Sequence, residues 1–438
     1  MSRVTKGSRL TKKKAHNTLR LTKQRIQDMN LIKGLAISYG ILVLLPIIWT
    51  PLTADDVPNS KSRIYISDMS GDFFTSYVSV FLSNTQQWMD AEGRFFPGAT
   101  FYGLGIHTIF QGVGLYKFYL FAISLLLFLL LFQVMVRVLP FNFAALGTLF
   151  ALSGYSLRYR YFHDGISSFA GQVPFAGVLF LLSILLLIDN KFAFKKFTFP
   201  ISIFSFVFAA LTYEHVVTFI PGVVFFLFFN SPKNFRKRNV LTFSALLFLQ
   251  LVLTLKLRSG VKSAPAYTLD FESLDFLRTA FRQLLSPLPA SQFLFSRPDF
   301  LGAVEQNYLL HNLAWIFLFC FGFISIGLSA FRRLALDNLT KTSWLKLISI
   351  GLIGLNMLIV PSLLTGATLR WQSELPSGEG YLCVVLQSIG LGFFVAAILT
   401  ALENFATLKQ RRLGAICGVI FTAFLISQNI AWNWGFNY

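Results

Sequence analysis

The feature that most constrains this chain is the recurrence, along nearly its whole length, of apolar runs of about 18 to 20 residues, enough to cross a hydrocarbon core of roughly 30 Å as helix. Backbone inside lipid must satisfy its own polar groups, so each run is expected to be helical. The runs fall near residues 32–50, 116–137, 140–156, 166–188, 197–212, 215–230, 238–256, 309–331, 344–365, 381–402 and 412–432. Of the 438 residues, 55% are hydrophobic and 13% charged, and the mean hydropathy is +0.62. The expectation is an all-α polytopic membrane protein of about eleven transmembrane helices.

In a soluble chain, a net charge of +19 would suggest nucleic acid. Here topology explains it better. Most of the 38 basic residues fall in the N-terminal tail and alternate connections, including Lys12, Lys13, Lys14, Lys233, Arg236, Lys237, Arg238, Arg332, Arg333, Arg411 and Arg412. Positive-inside bias then places the N-terminus in the cytoplasm and the C-terminus outside. The first run is of full spanning length without a small-residue cleavage site and reads as a retained anchor. Of the 19 acidic residues, all but Asp28, Asp189, Asp337 and Glu403 fall on the external side. Acidic residues contribute little to orientation, so this skew points to a functional external face.

The chain divides into a basic tail (1–31) that meets membrane lipids, an N-terminal transmembrane module (32–256) with a long external segment (51–115), a second external segment (257–308), and a C-terminal module (309–438). Both external segments exceed ordinary connectors and read as functional. Residues 72–89 carry Phe73, Phe74, Tyr77, Val80, Phe81 and Trp88 at roughly helical spacing, which suits an interfacial helix. The segment from Leu274 to Leu285 is similarly amphipathic. Cys320, Cys383 and Cys417 lie in apolar stretches and give neither a disulfide framework nor a metal-type spacing.

Asp55-Asp56 follows the first span directly. Adjacent carboxylates there can take a proton from a hydroxyl or help hold a divalent ion, although an acidic turn after Pro51 is the plainer reading. Arg158-Tyr159-Arg160-Tyr161-Phe162-His163-Asp164 offers two guanidiniums for a phosphate, a histidine to assist its departure, and a carboxylate for sugar hydroxyls; the same residues also suit simple interfacial anchoring. Glu214 and His215 sit in a tight connection, where charge usually faces a protein cavity. Before the tenth span, Arg370-Trp371 is suited to a lipid phosphate, while Glu379 and Tyr381 are placed to line an acceptor path. His107 and His311 read as packing histidines.

Thr53-Ala54-Asp55-Asp56, Gly93-Arg94-Phe95-Phe96 and the layout of residues 30–115 resemble the GT-C superfamily of integral membrane glycosyltransferases. The resemblance implies a polyprenyl-phosphate-linked sugar donor, a glycan or lipid-linked acceptor, and an external or periplasmic active site in the inner or plasma membrane. It casts Asp55 as general base with Asp56 as its partner, Arg158, Arg160 and Arg370 on the phosphate, and Glu214 and His215 in support, with Arg94 among the substrate-binding residues. Mg2+ or Mn2+ is allowed but not required. The short 257–308 segment and the lack of a soluble C-terminal domain depart from larger members and suggest an acceptor recognised by membrane-embedded walls. A surface-polysaccharide polymerase or ligase, and a transporter or flippase of lipid-linked glycans, are the alternative readings.

Overall fold

The protein is described by a computed structural model covering residues 4–52, 56–69, 71–157, 165–166, 169–189, 195–260, 269–291, 303–337, 342–375 and 380–435. It is an all-α polytopic membrane protein. Among the described residues there is no sheet, only an isolated antiparallel bridge between Leu269 and Thr368.

Helix α1 (Val4–Leu44) runs into a 3-10 turn (Leu45–Trp49) and then the first long connection, which holds α2 (Asp56–Asn59), α3 (Ser62–Ser67), α4 (Phe73–Glu92) and α5 (Pro97–Ile109). Then come α6 (Val113–Val138), α7 (Phe141–Ser153), α8 (Gln172–Ile188), α9 (Lys195–Thr212), α10 (Ile220–Asn230) and α11 (Arg236–Gly260). Helix α12 (Leu274–Leu285) lies in the second long connection, and α13 (Ala303–Asp337), α14 (Trp344–Ala367), α15 (Leu369–Glu374), α16 (Val384–Phe405) and α17 (Leu408–Gly435) complete the chain.

Among the described residues, seven stretches are long and apolar enough to cross a membrane: Thr22–Trp49, Val113–Val138, Phe169–Ile188, Asn312–Leu334, Trp344–Ala367, Val384–Phe405 and Lys409–Trp434. Phe141–Ser153, Lys196–Thr212 and Glu214–Asn230 are shorter apolar helices. With α11, they account for every apolar run read from the sequence. Helix α7 is buried on nearly every side, which its uniformly apolar sequence requires.

Small residues set the closest approaches, as expected where lipid removes the hydrophobic drive for helix association. A Cβ on Gly354 of α14 would lie 2.6 Å from the carbonyl oxygen of Gly390 in α16, and one on Gly390 would lie 2.8 Å from that of Gly354. Two residues on, Gly392 meets Gly147 of α7 in the same way, at 2.7 and 2.8 Å. Helix α16 is thus clamped between α14 and α7.

Polar side chains fix the ends of the bundle. Arg333 of α13 donates to both carboxylate oxygens of Asp28 in α1, at 2.8 and 2.6 Å. At the other end, Asn429 of α17 donates to the carbonyls of Leu152 (2.9 Å) and Tyr155 (3.1 Å). Asn433 donates to Val43 O at 2.9 Å and accepts from Leu157 N at 3.0 Å. These bonds satisfy backbone groups released where α7 and α1 end.

Both expected amphipathic helices form. Asp72 caps α4 by accepting from the N–H groups of Phe74 and Thr75, and Gly93 ends it in the left-handed region at φ 60°. Ser273 caps α12, accepting from Phe276 N. Helix α5 was not anticipated. Its glycines, Gly98, Gly103 and Gly105, obscure a helix that Pro97 starts at its first position and tertiary packing sustains.

Candidate functional site

The first long connection folds back over one end of the bundle, the end α1 reaches after leaving its basic N-terminal part. There α4 and α5 meet Tyr213 and Glu214, Arg370 and Trp371, and Tyr381 and Leu382 around a cavity of about 510 Å³. Arg94, Glu214, Arg370 and Tyr381, separated widely in sequence, all line it. Trp88, Phe96 and Trp371 supply aromatic walls, and Thr100, Gly103, Leu104 and His107 form a stripe along α5.

Beneath this stripe Asp56, the first residue of α2, is fully buried. Its Oδ2 accepts from the Tyr116 hydroxyl at 2.5 Å, and its Oδ1 accepts from Ala170 N at 3.0 Å. His107 Nε2 stands 3.5 Å from the same Oδ1. The contact is too long and poorly aligned to count as a hydrogen bond, and Nε2 is buried without a hydrogen-bond partner. His107 is therefore the residue through which Asp56 meets the cavity wall.

The cradle around Asp56 is built from strained and buried parts. Phe169 and Ala170 both hold positive φ, 55° and 56°, where a side chain is unfavourable, and this directs the Ala170 N–H at the carboxylate. The carbonyl of Ala170 accepts from Tyr102 at 2.8 Å, and Tyr102 and Tyr119 share a further short hydrogen bond. Burial raises the Tyr102 phenol well above its ordinary value, so it stays protonated as a donor. Lys117, also fully buried, donates from Nζ to Pro51 O at 2.8 Å and fixes the chain entering this region.

Also lining the cavity, Arg94 donates from Nη2 to Glu214 Oε1 at 2.5 Å. Its guanidinium lies over the rings of Phe96 (4.7 Å) and Trp88 (5.5 Å). Arg370 Nε donates to Glu374 Oε2 at 2.9 Å and its guanidinium lies 5.0 Å from the Trp371 ring, which packs 4.2 Å from Tyr381. His215 stacks on Tyr213 at 4.8 Å, behind the wall to which Glu214 contributes.

Asp55, Arg158, Arg160, His163, Asp164 and Glu379 lie outside the described residues. Among the described residues, no group of three His, Cys, Asp or Glu side chains comes together as a metal site. His107, a packing histidine by sequence, shares one face of α5 with Thr100, Gly103 and Leu104, and the packing of α5 over Asp56 directs that face to the cavity. Tyr116 and Ala170 carried no signal in the sequence, since their role depends on how α6 and the turn before α8 pack around Asp56.

No family model, curated protein or solved structure matches the chain.

Proposed function

We propose that the protein is a membrane glycosyltransferase that moves a sugar from a polyprenyl-phosphate donor to a hydroxyl of a cell-surface glycan or lipid acceptor on the external or periplasmic face. The observation that carries this reading is that one cavity is lined both by His107, 3.5 Å from the buried carboxylate of Asp56, and by Arg94 and Arg370, whose guanidiniums lie against aromatic rings.

Sugar transfer from a lipid phosphate needs both kinds of group. The acceptor hydroxyl loses a proton as its oxygen bonds to the anomeric carbon, and the bond from that carbon to the phosphate oxygen breaks, leaving the electron pair on the polyprenyl phosphate. His107 takes the proton, and Asp56 acts through it as a positioning residue that steadies the imidazolium. Arg370 and Arg94 meet the charge on the departing phosphate, Arg94 by exchanging Glu214 for a phosphate oxygen. Trp88, Trp371 and Tyr381 offer faces on which a sugar ring can stack. Asp55 remains an alternative proton acceptor, and Arg158, Arg160, His163, Asp164 and Glu379 remain proposed substrate contacts. The sequence resemblance to GT-C enzymes supports the same reading.

The test is to incubate the purified chain with radiolabelled polyprenyl-phosphate sugars and a membrane glycan extract. A labelled glycan joined by a new glycosidic bond supports the proposal. Labelled donor carried across a vesicle wall with no bond formed overturns it in favour of transport.

A further inference from the structure

A second, smaller cavity of about 110 Å³ lies between α7, α13, α16 and α17. Helix α16 starts beside the large cavity at Leu382 and runs 22 residues, about 33 Å at 1.5 Å per residue, before reaching the small one at its far end. The two cavities therefore open at opposite ends of the bundle. The small one belongs to the basic end, where Lys33 Nζ lies 5.8 Å from the ring of Phe141, the residue before its lining Asn142.

Its walls are apolar, formed by Phe143, Leu146, Phe331 and Leu399, with two charges of opposite sign, Glu403 and Arg411. Glu403 Oε1 is buried and accepts no hydrogen bond. A carboxylate oxygen removed from water with no donor is unfavourable unless a ligand supplies one. Arg411 is fixed by donating from Nε to Ala406 O at 3.1 Å. The turn between the two charges is rigid. Thr407 N donates to Gln410 Oε1 at 2.8 Å and Gln410 N to Thr407 Oγ1 at 3.4 Å, a reciprocal cap that starts α17.

We propose that this cavity binds the head group of a membrane lipid carrying a primary amine, of the phosphatidylethanolamine class. An ammonium has three N–H donors to give the buried oxygen of Glu403, and the phosphate of the same head group carries the charge that complements Arg411. One acid and one base lining the same largely apolar cavity complement a zwitterion attached to acyl chains. A choline head group lacks the N–H donors, and a glycerol head group lacks the positive charge.

The experiment is native mass spectrometry of the full chain in detergent, titrated with phosphatidylethanolamine, phosphatidylcholine and phosphatidylglycerol of matched acyl chains. The wild type retains the ethanolamine lipid about tenfold more tightly than the other two, as one charge-assisted hydrogen bond implies. Glu403→Gln abolishes that difference. Gly414→Leu provides an independent arm: Gly414 lines the cavity and a Cβ there meets nothing within 4 Å, so a larger side chain narrows the slot without a clash at its Cβ and also abolishes the preference. Equal retention of the three lipids by the wild type, a preference for the glycerol head group, or an ethanolamine preference that survives either variant overturns the assignment.

Discussion

His107 Nε2 lies 3.5 Å from Oδ1 of Asp56, a carboxylate that is fully buried and already accepts from Tyr116 and Ala170. On the proposed reading this gives the two residues different roles. Asp56, buried and already accepting two hydrogen bonds, positions His107, which lines the cavity and meets the substrate. Asp56→Ala would leave the Tyr116 hydroxyl and the Ala170 N–H without their acceptor, at a cost of about 1–3 kcal/mol each if they stay buried. The predicted result is a clear fall in melting temperature for Asp56→Ala and a smaller one for Asp56→Asn, read by thermal unfolding in detergent.

Arg94 is predicted to act through shape as well as charge. Lysine keeps the charge but cannot lie flat over Phe96 and Trp88 while bonding Glu214. Arg94→Lys should therefore raise the KM for the lipid donor about tenfold, close to the ~1.4 kcal/mol of one lost oriented contact. A wild-type KM in Arg94→Lys would remove Arg94 from the phosphate contacts.

The glycine clamp on α16 predicts steric intolerance. Gly390→Leu places a Cβ 2.6 Å from Met357 Cβ and 2.8 Å from Gly354 O, and should destabilise by about 1–3 kcal/mol through overpacking. Gly414→Leu, with open space around its Cβ, should leave the melting temperature unchanged. Comparing these two variants separates close helix packing from a general effect of leucine.

Acid should loosen α4. Hydrogen bonds from the Thr75 hydroxyl first, then from the Thr75 and Phe74 N–H groups, hold the Asp72 carboxyl below its ordinary value of 3.8. A depressed folded-state value means that the cap stabilises fully above the unfolded value and is lost as pH falls through the folded one. Limited proteolysis should cut within 73–92 faster in Asp72→Ala than in wild type at neutral pH, with the two rates converging as pH falls through the depressed value of the Asp72 carboxyl. A difference that grows as pH falls would contradict this account of the cap.

Much of the fold was legible because membrane helices announce themselves by length and apolarity, and each expected run falls on a helix. The shorter helices α7, α9 and α10 were legible by the same apolarity, although each falls short of a full spanning length. Helix α7 is buried among its neighbours, whereas α9 keeps Phe197, Ile201 and Phe204 exposed. In the site, Arg94, Glu214, Arg370 and Tyr381 stood out as charged or aromatic residues beside apolar runs, yet nothing in their sequence spacing places them around one cavity. His107 was hidden by the opposite effect, a lone histidine in a glycine-rich segment that only the packing of α5 over Asp56 turns towards the cavity.

The rate of sugar transfer from radiolabelled polyprenyl phosphate, measured for wild type, His107→Gln, Asp56→Asn and Asp55→Asn at matched melting temperatures, decides whether His107 takes the proton. His107→Gln is expected to lose about 100- to 10,000-fold in rate, the usual contribution of a positioned base, with Asp56→Asn falling in the same direction. Full activity in His107→Gln, with the loss confined to Asp55→Asn, would contradict it and move the proton acceptor to Asp55.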